Sequence, residues 1–135
     1  MAAIRIRGAW KLSLSTHTED LKVTMLLAED VRLVVQKANR AGLTGEMHID
    51  GKSVAVVGKV KPGSPAVVSI AEVDADGEPV SDGIEAMLYI SPWWPTVKYK
   101  YDLIMGTMVV GTGSALIRKE FEHKIILVSG IQPFE

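Results

Sequence analysis

His48 and Asp50 stand two residues apart in "MHIDG", a spacing that puts both side chains on one face of an extended strand. An imidazole beside a carboxylate can pass a proton or share a metal ion. Asp50 also precedes Gly51, and aspartate before glycine is what a tight turn between two strands favours on backbone grounds alone. The turn is the preferred reading. His17 sits in a polar stretch and His123 in "EFEHKI", and no two histidines have metal-ligand spacing. Glu120 and Glu122 flank Phe121 on what reads as one strand face. Paired carboxylates can do acid–base work, but Lys119 and Lys124 beside them mark a solvated face. An enzyme built on this chain would have to gather distant residues such as His48, Asp50 and His123.

Two glycine-rich stretches invite a phosphate reading. In "GTMVVGTG", residues 106–113, Gly106 and Gly111 have P-loop spacing, but Thr112 stands where the phosphate-binding lysine belongs. No helix is expected after it to present an N-terminus to phosphate. "GKVKPGS", residues 58–64, lacks that lysine after Gly63 as well. Both read as strand bends or as places where backbones approach closely. No Gly-x-Ser-x-Gly elbow occurs, and the chain has no cysteine, which excludes disulfides, thiolate metal sites and cysteine nucleophiles. No cofactor is expected.

The most distinctive segment is "SPWWPTVKYKY", residues 91–101. Five of the eight aromatic residues lie between Tyr89 and Tyr101. Val97, Tyr99 and Tyr101 share one strand parity, Lys98 and Lys100 the other. Pro92 and Pro95 hold Trp93 and Trp94 in an extended loop. Three roles are open for these rings: a cover over the open end of a sheet, an anchor in a protein–protein contact, or a platform for sugars or stacked bases beside Lys98 and Lys100.

The elements that must position these groups are mostly strands. "IRIRGAWKLSLS" alternates, with Ile4, Ile6, Trp10, Leu12 and Leu14 on one parity and Arg5, Arg7, Lys11, Ser13 and Ser15 on the other, so one face is buried and one wet. Residues 24–41 change period. Leu27, Val31, Val34, Ala38 and Ala41 are spaced four, three, four and three, which predicts one amphipathic helix, with Thr24 as N-cap and Gly42 after its end. Residues 18–24 fit a strand or the start of that helix. Thereafter the chain reads as β, with hairpin turns at Asp50-Gly51 and Asp76-Gly77 and proline-marked loops near residues 61–65 and 91–95. One helix with about seven strands predicts an α+β fold: a mainly antiparallel sheet, curled into a barrel or a small sandwich.

At 135 residues the chain suits a single domain spanning 1–135. Its 47% hydrophobic and 23% charged residues are ordinary for a globular protein. A net charge of −1 argues against a dedicated nucleic-acid binder, which needs a basic excess. The N-terminus carries no signal-peptide hydrophobic region, and no apolar run is long enough for a membrane helix, so a soluble protein is expected, cytoplasmic or assembled into a particle.

These features favour a non-enzymatic structural subunit that assembles with copies of itself, such as a viral particle, tail or tube component. Its contacts are expected at Trp93, Trp94, Lys98, Tyr99, Lys100 and Tyr101, with Arg5 and Arg7 in a strand able to pair with a neighbour's sheet edge. The alternative is a binding module that uses Trp93 to Tyr101 to hold a carbohydrate or a single-stranded nucleic acid.

Overall fold

The alternation around Trp10 matures into a strand that is paired on both of its sides. In a computed structural model describing residues 6–17, 24–39, 41–63, 65–91 and 102–132, eight antiparallel strands close into a barrel. They are β1 (Gly8–His17), β2 (Thr24–Asn39), β3 (Gly42–Ile49), β4 (Lys52–Lys61), β5 (Ala66–Val73), β6 (Ile84–Ser91), β7 (Asp102–Val110) and β8 (Ile126–Gln132). Each strand pairs with its neighbours in sequence, and β1 closes the ring against β8 from Lys11↔Ile131 to Ser15↔Leu127.

An eight-stranded barrel has an interior just wide enough for side chains to fill. Here Trp10, Leu33, Met47, Leu88, Ile104 and Phe121 fill it, each at most 1% exposed. Burying side chains of this size contributes about 1.5–3 kcal/mol each, so the core accounts for most of the fold's stability. Trp10 also satisfies its polar edge, because its Nε1 donates to the Ile6 carbonyl at 2.8 Å. Closure brings strand backbones so near one another that several positions exclude any side chain. A Cβ at Gly58 would run into the Ser69 carbonyl, and one at Gly106 into the Met87 carbonyl. The glycine-rich stretches are therefore close approaches of strands.

The Asp50-Gly51 hairpin is present. Its two residues have φ of 49° and 86°, the double positive φ of a tight primed turn, and Ile49 pairs with Lys52 across it. The turn at Asp76-Gly77 is present too, held by Asp74 Oδ1, which accepts the N–H groups of Asp76 at 2.9 Å and Glu78 at 3.0 Å.

The helix expected over residues 24–41 is instead β2, the longest strand, so the fold is mainly antiparallel β and not α+β. The reason lies in irregular pairing. Between Leu14↔Ala28 and Leu12↔Val31, β2 advances three residues against two of β1, and between Ser15↔Leu26 and Leu14↔Ala28 two against one. Such bulges break strict alternation and imitate helical spacing. Beyond them the strand alternates, with Val31, Leu33 and Val35 at most 2% exposed. Its β-branched run "VRLVV" suits that state. A second correction concerns Glu120 and Glu122. They do not share a strand face, because Lys119–Phe121 form a 3-10 turn, the only helical segment among the described residues, and Phe121 enters the core.

Closure pairs β1 with both β2 and β8, and of the "IRIR" segment expected to meet a neighbour's sheet edge, Ile4 and Arg5 lie outside the described residues while Ile6 and Arg7 precede β1. No helix among the described residues is long and apolar enough to cross a membrane.

Candidate interaction surface

In a filled barrel the outward side chains face whatever surrounds the protein. On β2 and β3 they are Arg32, Val34, Gln36, Thr44, Glu46 and His48, a mostly polar set, with Leu26 near the start of β2 54% exposed. On β4 to β7 they differ. Val57, Met87, Tyr89, Met105 and Val109 point outward and are 38–54% exposed, and Ile125, just before β8, is 66% exposed. The pairing register makes them neighbours: Tyr89 stands opposite Met105, Met87 opposite Thr107 and Ser69, Glu85 opposite Val109, and Val57 opposite Ala71. Exposed apolar side chains gathered on one face, with Ser69, Glu85 and Thr107 between them, make this a candidate interaction surface.

The patch is concave. The outward positions of β5 are small at Ser69 and Ala71, while Val57 and Lys59 on one side and Met87 and Val109 on the other are larger. A shallow depression therefore lies along β5, bounded at one end by Ile125. A second, over β7, β8 and β1, is lined by Lys11, Ser13, Met105 and Ile131. Tyr89 Oη reaches Met87 Sδ at 3.7 Å, which fixes the aromatic ring against the patch. Among the residues around the main depression, Lys59 and Glu85 carry the charges, and they lie on opposite sides of β5.

The upper rim of this face is built by the connection from β7 to β8. Thr112 donates to Asp82 Oδ2 through its N–H at 3.2 Å and its hydroxyl at 2.7 Å, and the Gly113 N–H donates to the Asp82 carbonyl at 2.8 Å. Glu72, buried at 3% exposure, accepts the Ile84 N–H at 3.1 Å and the Ala115 N–H at 3.2 Å. Thr16 Oγ1 donates to the Ile125 carbonyl at 3.1 Å and sets the level from which Ile125 projects. Arg118 donates to Asp50 at 2.6 Å and to the Leu27 carbonyl at 3.2 Å, with its guanidinium 4.4 Å from the centre of the Phe121 ring.

The chemically suggestive residues do not converge. His48 Nε2 lies 3.5 Å from Glu46 on the outside of β3, Asp50 is engaged by Arg118, and His123 lines a rim depression with Asp82 and Thr112. Among the described residues no group of three His, Asp or Glu side chains is placed to hold a metal ion.

Of the contact residues expected from sequence, Arg7 is exposed just before β1, where its carbonyl accepts from Gln132 Nε2 at 2.8 Å. Arg5, Trp93, Trp94, Lys98, Tyr99, Lys100 and Tyr101 lie outside the described residues, as does the 18–23 segment. Sequence reading passed over Met87, Met105 and Val109, yet a signal was there. "IEAMLYI" and "LIMGTMVV" carry large apolar residues on both parities, whereas an antiparallel strand with one wet face alternates. No protein-family model, curated protein or solved structure matches this chain.

Proposed function

We propose that the chain is a non-enzymatic structural subunit that assembles with copies of itself, and that the outer face of β4 to β7 is the surface it uses. One observation carries the reading: β6 and β7 place Met87, Tyr89, Met105 and Val109 on the outer face of a barrel whose interior is already full. Their outward side chains have no place in their own core and gain most by being covered. Because the ring of strands is closed, the outer faces are the broadest surface available for association. A subunit of this kind suits a particle, a tail or a tube. Contacts from Trp93, Trp94 and the lysine–tyrosine run that follows belong to the same proposal, since that segment joins β6 to β7.

The direct test is to put charge on the face. Met87→Asp and Val109→Asp are exposed changes that leave the core intact, so both variants should keep the wild-type circular dichroism spectrum. Light scattering after gel filtration should show smaller species for them than for the wild type. Unchanged size for both variants would end the claim that this face is used.

A further inference from the structure

We infer that the depression along β5 is an isologous site: a second copy, turned by a two-fold rotation, seats its Met87 over Ser69 and sets its Glu85 against Lys59. This rests on the self-assembly reading and names the partner surface and the geometry. The depression exists because Ser69 and Ala71 are small while Met87 on β6 is large and 49% exposed, so groove and ridge are adjacent on one face. A groove beside its own ridge is what a two-fold contact requires, since each copy must give and receive the same shape.

Charge fixes the axis. Lys59 is paired with Ser69 and Glu85 with Ala71, so the two charges sit diagonally across β5, with the groove between them. A two-fold axis lying in the face and crossing β5 between Ser69 and Ala71 exchanges the two positions. It brings Lys59 of each copy opposite Glu85 of the other and carries Met87 onto the groove floor near Ser69. The contact is thus apolar at its centre and doubly complementary in charge at its sides, the arrangement that sets register between partners.

The geometry makes an unusual demand on mixed samples. In Lys59→Glu every contact would set two carboxylates together twice, the introduced one against Glu85. In Glu85→Lys it would set two ammonium groups together twice, the introduced one against Lys59. Each variant alone should associate about tenfold or more weakly than the wild type. An equimolar mixture of the two should associate better than either component, because a mixed pair escapes the double like-charge contact of each homotypic pair. The double variant should recover near-wild-type affinity, since both of its contacts again join opposite charges. Sedimentation velocity on each sample, at matched concentration and low salt, reads all four cases. Singles as assembled as the wild type, or a double variant no better than the singles, would overturn the two-fold geometry. If Met87→Asp still dissociated the protein in that event, the broader self-assembly reading would stand. A wild type that is monomeric throughout would remove both.

Discussion

Arg118 and Asp50 lie 68 residues apart in the chain, yet Nη1 of the one donates to Oδ2 of the other at 2.6 Å. The contact ties the β7–β8 connection to the β3–β4 hairpin, across an end of the barrel that Phe121 and Leu116 close from inside. Arg118 also reaches the Leu27 carbonyl and stacks on Phe121, so a single guanidinium joins three parts of the rim. Both partners of the ion pair are partly wet, with side chains 33% and 46% exposed, and the pair alone contributes at most about 1 kcal/mol. Together with the carbonyl contact and the stacking, Arg118→Met should lower stability by about 1–2 kcal/mol in a urea titration. Asp50→Ser should cost less. Equal losses from both would mean that only the ion pair matters.

Glu72 gives a sharper expectation, because it is buried and both of its oxygens are occupied by backbone N–H groups. Glu72→Gln turns one acceptor into a donor that faces another donor. A buried polar group left unsatisfied costs about 1–3 kcal/mol. The melting temperature of Glu72→Gln should fall clearly although the change is nearly isosteric. A neutral result would mean that Ala115 and Ile84 do not depend on this carboxylate.

The face assignment of β2 separates strand from helix directly. Leu33 is buried inside the barrel at 1% exposure, while Val34 faces outward. An unpaired charge in the core costs several kcal/mol, comparable with the whole stability of a domain this size. Leu33→Asp should abolish soluble folded protein and Val34→Asp should be tolerated. The helical reading expects the opposite order at Val34, so the two variants decide between them.

Gly106 tests how tightly the barrel closes. Alanine there would drive its Cβ into the Met87 carbonyl, a backbone atom that cannot swing aside. Overpacking of this kind costs about 1–3 kcal/mol. Gly106→Ala should unfold at lower denaturant than the wild type, whereas Gly77→Ala, at an open turn with nothing near its Cβ, loses only through its positive φ of 82°. If Gly77→Ala proved the more damaging of the two, the strands would be less closely apposed than described.

Much of the β architecture was legible. Trp10, Leu12 and Leu14 alternate and are buried, the Asp50-Gly51 turn has the φ values its residues favour, and the glycine-rich stretches are close approaches. What failed was the period of β2. The bulges near Ala28 insert residues that pairing with β1 reveals, and no local propensity announces them. The sequence left a barrel or a small sandwich open, and the pairing that decides for the barrel, β1 with β8, joins distant parts of the chain and has no local signal. The candidate surface was half visible: "IEAMLYI" has large apolar residues on both parities, but only the filled interior shows that Met87 and Tyr89 point out.

The claim that the chain assembles through its own outer face is tested most directly by the mass of the wild-type protein in solution. Sedimentation velocity over a concentration series should show species heavier than the 14.6 kDa chain, with the distribution moving towards the monomer on dilution. Met87→Asp, run alongside, should sediment as the monomer at concentrations where the wild type is assembled. A wild type that sediments as a single 14.6 kDa species at every concentration would contradict the account.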